Sequence, residues 1–233
     1  MEYSIPIPAS KIMERVAPAL LQLCPRENLT LGGGTALAAR WNHRRSTDID
    51  LFLAHEDFQK ISDSLATALT GSSGILTWED GQGWCRVSCA EGEFAIATSQ
   101  SVLKPTSKAR PTDVSAVWGV RLEAVDEILA KKLRLRIYGN GEFLSRDCYD
   151  LVTSAEIDPD SLTRALKVLT TRQRQEIAKE MRSLRSLAKL GGRDLEAPHK
   201  PEWLPDLPLR TANLVENWPA VRPEPTMRSP RSF

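Results

Sequence analysis

Nowhere in this 233-residue chain does an apolar run approach the roughly 20 residues that span a bilayer. A membrane-crossing helix is therefore excluded. The first residues, MEYSIPIPASK, lack the charged stretch followed by an apolar one that marks a secretion signal, so the chain reads as cytoplasmic. Cysteine is sparse and scattered: Cys24, Cys85, Cys89 and Cys148 form no CxxC pair and have no histidines nearby, which excludes a zinc site and predicts four reduced, buried thiols. The dispersal of the three histidines, His43, His55 and His199, weakens any nucleophile–histidine triad and leaves only His43 as a candidate. Two nucleotide signatures are missing as well. No Lys-Ser/Thr follows the glycines at 32–34, as a Walker loop requires, and no GxGxxG follows a strand. Internal repeats are absent.

What remains is an ordinary globular composition, 41% hydrophobic and 26% charged, long enough to bury a substantial core. Ser10 is placed to cap a helix through Leu23 with Ile12, Val16, Leu20 and Leu23 in one stripe. LTLGG reads as a strand entering a turn, TALAARW as a short helix, DIDLFL as a second strand, and Glu56–Leu69 as a helix burying Phe58, Ile61, Leu65 and Leu69. GILTWE, WCRVSCA and EFAIATS read as further strands between glycines. Near residues 105–120 the period changes from two to about 3.6. Leu122, Val125, Leu129 and Leu133 then line one helix, another begins near Ser145, and two more fit between Pro159 and Leu190. Beyond Gly192 frequent prolines predict an extended tail whose Trp203, Leu204, Leu207 and Trp218 dock. The expected class is α+β: a mixed-sheet lobe over 1–110, a helical lobe over 111–192 and a proline-rich tail over 193–233.

The segment LGGGTALAARWNHRRSTDIDLFL carries the chemistry. Side chains alternate along a strand, so Asp48 and Asp50 share one face, roughly 6.6 Å apart, while Ile49, Leu51 and Leu53 enter the core. Paired carboxylates repel unless a cation relieves them, and Mg2+ takes one or two carboxylates together with phosphate oxygens and water. Gly33 and Gly34 permit close backbone approach, and Thr35 opens a helix whose N-terminus suits phosphate.

GGGTALAAR and RRSTDIDLF resemble the first motif of the polymerase-β-type nucleotidyltransferase superfamily, and in particular the AbiEii/AbiGii toxin family that includes the MenT toxins. That family's later signatures, ILAxKLxxR and RDxYDL, are matched by EILAKKLRLRI and SRDCYDLV. The resemblance implies a nucleotidyltransferase-fold lobe followed by helices, and an enzyme that moves NMP from an NTP to an acceptor hydroxyl, releasing pyrophosphate. By the same resemblance Gly33, Gly34 and Thr35 hold the triphosphate with help from Arg45 and Ser46. Asp48 and Asp50 bind Mg2+, Lys132 contacts the nucleotide phosphates, and Asp147 is the distal acidic residue of the catalytic set. Asp150, three residues on, shares its helical face. Lys131 reads as the less favoured twin of Lys132, and Arg146 as a residue that either serves the site or pairs with a carboxylate to fix its helix. The partners implied are an NTP donor, a tRNA 3′ end as acceptor and a cognate antitoxin, with no membrane.

Two features qualify this reading. Many superfamily members carry a third carboxylate on a later strand, yet EFAIATS offers only Glu93, at its edge. Between Ser161 and Arg193 nine basic residues face only Glu176 and Glu180, a net +7 that reads as a surface for RNA phosphates. Transfer to a small-molecule or protein hydroxyl, and a degenerate, inactive binding or regulatory protein, stay open as alternatives.

Overall fold

The computed structural model describes residues 2–70, 74–103, 114–115, 118–184, 190 and 195–218. In chain order the N-terminal half contains β1 (Glu2–Tyr3), α1 (Ala9–Leu23), β2 (Thr30–Leu31), α2 (Gly33–Trp41), β3 (Ile49–Leu53), α3 (His55–Thr70), β4 (Ile75–Gly81), β5 (Trp84–Cys89) and β6 (Gly92–Thr98). There follow β7 (Val114–Ser115), β8 (Arg121–Leu122), α4 (Val125–Lys131), a π-helical segment Lys132–Gly139, α5 (Ser145–Ile157), α6 (Pro159–Leu166), α7 (Thr171–Leu184) and α8 (Leu207–Asn217).

The described strands form one mixed sheet in the order β1-β7-β8-β2-β3-β6-β5-β4. Strand β3 is central. It runs antiparallel to β2, with Leu31 opposite Leu51, and parallel to β6, with Asp50 opposite Ala95. Ile49, Leu51 and Leu53 are at most 1% exposed, on the side of the sheet where α1 and α3 pack. The stripe of α3 is buried as its spacing requires, through Phe58, Ile61, Leu65 and Leu69. Helix α1 buries Ile12, Val16 and Leu20 but starts one residue before Ser10, whose side chain caps nothing. The four cysteines are free and buried.

The helix expected from Leu122 to Leu133 is divided. Leu122 belongs to β8, because β2 offers it a parallel partner in Leu31. Only Val125–Lys131 is α-helical, and the backbone then widens into the π-helical segment. The C-terminal segment also departs from an extended chain. Pro201 and Pro208 sit in the first turns of a 3-10 helix and of α8, where their missing N–H groups cost nothing. Trp203 and Leu207 are buried, with Leu204 and Trp218 against the same core. The prolines from Pro219 onward lie outside the described residues.

This C-terminal segment also touches the loop between α2 and β3. Arg45 N–H donates to the Glu196 carbonyl at 3.0 Å and His199 N–H to the His43 carbonyl at 2.9 Å. Lys200 N–H donates to the Tyr149 hydroxyl at 2.9 Å. His43 stacks on Tyr149, centroids 5.8 Å apart, and Tyr149 meets Trp203.

Candidate active site

Because Ile49, Leu51 and Leu53 face α1 and α3, β3 turns Asp50 and Phe52 to the other side. There Asp48 and Asp50 line a cavity of about 120 Å³ together with Gly34, Arg44, Ser46, Lys132, Arg136 and Arg146. Asp48 Oδ2 accepts from Arg146 Nη1 at 2.9 Å, and Oδ1 from the Thr47 hydroxyl at 3.2 Å. Arg146 therefore holds its helix α5 to a site carboxylate. Burial pushes the Asp50 carboxyl up and the Asp48 charge adds to this, against the pull of Arg136, Arg146 and Lys132. Two carboxylates are thus crowded under a ring of cations.

The glycine turn makes room for this arrangement. Gly33 lies at φ +62°, and a Cβ there would fall 2.1 Å from Asp50 Oδ2. At Gly34 a Cβ would fall 2.2 Å from Arg44 Nη2. In this structure the space above both glycines is filled by the protein's own charged groups. Thr35 is buried. Its hydroxyl bonds the Ser46 hydroxyl at 2.7 Å and the Asp48 carbonyl, so it ties the start of α2 to the approach of β3.

Behind the cavity lies a buried ionic network. Asp150 Oδ1 accepts from His43 Nε2 and Arg44 Nε, each at 2.7 Å, and Oδ2 from Arg44 Nη2 at 3.0 Å, with Lys132 Nζ 3.1 Å from Oδ2. Asp147, one turn earlier on α5, takes Lys132 and, at 2.7 Å, Arg136. Burial by itself pushes both carboxyls up. For Asp147 the nearby Lys132 and Arg136 outweigh it and hold the group below its ordinary range. For Asp150 the charges of Arg44 and Lys132 hold it well below. His43 is held down, chiefly by burial. Asp147 and Asp150 thereby fix the three cations Arg44, Lys132 and Arg136 at the cavity wall.

Lys132 reaches this wall with only 5% of its surface exposed. Arg45 does not: more than half of its side chain is exposed, and it lines a smaller cavity with Thr47, Leu195 and Glu196. Of the two adjacent arginines, Arg44 is the inward one. Lys131 is no solvated twin either, since its Nζ pairs with Glu123 at 2.5 Å and lies 4.0 Å from the centre of the Phe52 ring.

Residues 22–83 match the sequence family described as nucleotidyl transferase AbiEii toxin, Type IV TA system. This segment resembles the AbiEii nucleotidyltransferase toxin family. The match contains the glycine turn and both Asp48 and Asp50, and ends before Lys132 and Asp147. Two solved structures share the fold. One is a candidate nucleotidyltransferase from H. pylori, 16% identical, TM-score 0.54, the alignment covering 91% of this chain and 96% of that one. The other is JHP933 from Helicobacter pylori, 18% identical, TM-score 0.53, covering 92% and 94%. No curated protein sequence matches the chain.

Beyond the matched segment, β6 carries Ala95 where a third carboxylate would face Asp50. Glu93, expected only at the strand's edge, lies one step from Phe94 on the cavity side and lines the cavity. Among the described residues no three metal-ligating side chains of the His, Cys, Asp and Glu type form a cluster. On β5, Arg86 lies opposite Ala95 and joins the cavity wall. No motif announces Arg86; the register of β5 on β6 places it there.

The basic helices are less free than their charge suggests. Arg164 pairs with Asp126 at 2.8 Å. Arg174 donates to the carbonyls of Val215, Glu216 and Trp218, and Arg182 pairs with Glu216. Both secure α8 on α7. Of the remaining cations, Arg185, Lys189 and Arg193 lie outside the described residues.

Proposed function

We propose that this protein transfers a nucleoside monophosphate from an NTP to an acceptor hydroxyl, as the effector of a toxin–antitoxin pair, with a tRNA 3′ end as acceptor. One observation carries the transfer: Asp48, just before β3, and Asp50, on it, line one cavity under Arg44, Lys132, Arg136 and Arg146. The acceptor oxygen attacks the α-phosphorus while its bond to the pyrophosphate oxygen breaks, and the hydroxyl proton is released. Catalysis of such a step is mainly positioning and charge compensation. Arg146, about one third exposed, is the cation placed to shift toward the triphosphate, while Arg44, Lys132 and Arg136 are anchored from behind by Asp147 and Asp150.

A divalent cation fits these residues. Burial and mutual repulsion penalise the charged form of Asp50 beside Asp48, and two hard carboxylate ligands leave the remaining positions to phosphate and water, as Mg2+ prefers. Asp48 and Asp50 would hold it; when bound, Mg2+ supplies positive charge at the reacting phosphate and acidifies a coordinated hydroxyl. The RNA acceptor is supported by the cationic surface that α6 and α7 keep exposed at Lys167, Arg172 and Lys179.

The test is incubation of each α-labelled NTP with the protein plus tRNA, total protein or buffer. Label in tRNA that disappears in Asp48→Ala is expected. Label in protein or a small molecule would redirect the acceptor, and label nowhere would leave a binding protein.

A further inference from the structure

Asp50 separates two cavities. The first is the polar one under the arginines. The second, about 370 Å³, lies on the opposite side of Asp50 and shares Lys132 and Arg136 with the first. Its walls differ in kind: Phe52, Ile128 and Leu135 are apolar, and Gln100 and Asn140 carry amides. A nucleoside triphosphate has one charged end and one flat, largely apolar end bearing hydrogen-bonding groups. The pair of cavities matches that division.

Within the second cavity one acceptor is left over. Glu123 follows β8 and is 8% exposed. Its Oε1 takes the Lys131 ammonium at 2.5 Å, whereas its buried Oε2 has no hydrogen-bond partner among the described residues. Gly32 leaves the space for it, since a Cβ there would fall 2.4 Å from Oε2 and 2.4 Å from the Phe52 ring. An ionised carboxylate oxygen can only accept, and a buried acceptor without a donor is costly. Burial pushes the Glu123 carboxyl up against the pull of Lys131, and a ligand N–H on Oε2 would favour its charged form.

We infer that Glu123 reads the donor base: the second cavity takes the nucleoside of the NTP, and Glu123 Oε2 accepts a hydrogen bond from an amino group of that base. The inference rests on the NTP reading given above. It assigns the site to ATP, CTP or GTP and against UTP, whose base has one donor, the ring N3–H, flanked by two carbonyl oxygens that repel a carboxylate.

Binding decides this without turnover. The full chain is titrated calorimetrically with each NTP in Mg2+ and no acceptor. At least one amino-bearing NTP should bind about tenfold or more tightly than UTP. It should also lose that margin when its amino group is deleted, as in ITP for GTP, purine riboside triphosphate for ATP, or 2-pyrimidinone riboside triphosphate for CTP. Glu123→Gln sharpens the test. Lys131 can only donate, so the amide oxygen must face it, which puts the amide NH2 where Oε2 stood. The variant's preference should shift toward UTP. Equal binding of all four NTPs, an unchanged ranking in Glu123→Gln, or a change confined to ribose against deoxyribose would each overturn the assignment. If the variant fails to fold, deletion of the amino group on the wild-type protein still decides. If no NTP binds at all, the NTP reading itself fails.

Discussion

Arg146 donates to Asp48 across 2.9 Å, so a guanidinium of α5 covers a carboxylate that the proposed reaction assigns to a divalent cation. The two cations compete. In the nucleotide-free protein Arg146→Ala should tighten Mn2+ binding by about two- to fivefold, the worth of a partly exposed pair, while transfer falls because a phosphate partner is lost. Paramagnetic titration with Mn2+ measures the first effect. Unchanged affinity would show that the pair does not guard Asp48.

Asp50 makes a prediction about pH. A carboxyl whose pKa is raised by folding costs stability above its unfolded value, and the cost disappears as pH falls below that value. Asp50→Asn should therefore raise Tm at pH 7.5, by about 2–4 °C for each kcal/mol relieved, with the gain vanishing toward pH 4. Transfer should be abolished. A lower Tm at pH 7.5 would make Asp50 a structural residue.

The network behind the cavity should set the response to acid. His43 is held below its ordinary value of 6.5, so below about pH 6.5 the unfolded chain takes up a proton that the folded one refuses, and stability declines. Asp147 and Asp150 have lowered pKa values, so their contribution is present above the ordinary carboxylate range and is lost as pH falls through their folded values. Urea titrations at pH 7.5 and 5.5 should differ for the wild type and differ less for His43→Gln. Asp150→Ala should cost about 3–5 kcal/mol at pH 7.5, because buried Arg44 keeps its charge and loses its carboxylate, and Lys132 is left with Asp147 alone.

Arg174 separates structure from RNA binding. Arg174→Ala should reduce hydrogen-exchange protection across 207–217, since three carbonyls at the end of α8 lose their donor. Arg172→Ala, which gives up only an exposed pair with Glu176 at 2.9 Å, should leave that protection unchanged. Charge reversal at Lys167, Arg172 and Lys179 is the cleaner test of RNA affinity, and its salt dependence should flatten.

How far the sequence is legible depends on the range of the interaction. Alternation places Asp48 and Asp50 on one face because a half-buried strand has no other arrangement. The helical stripe of α3 is legible for the same reason. Pairings across long separations are not. Arg44 and Arg45 are chemically identical neighbours, and only Asp150, far along the chain on α5, makes Arg44 the buried one. Nothing local distinguishes Lys131 from a solvated lysine; Glu123 and Phe52 close on it only in the fold. Glu93 and Arg86 enter the cavity through the register of β6 and β5, which no local pattern encodes. The charge of α7 can be counted from the sequence, but the helix that uses part of it lies beyond a run of prolines.

The backbone bonds from Glu196 and His199 to the loop before β3 bear on how the protein is made. A chain synthesised from its N-terminus presents Asp48 early, yet the strap that pins the loop feeding Asp48, and the Trp203 that closes the aromatic stack on His43, emerge long afterwards. Completion of that loop is thus deferred to a late stage of translation. A ribosome that has made only the sheet and its first helices carries a nascent chain whose loop has not been latched, which delays the finished site until α8 and its preceding strap are available to fold.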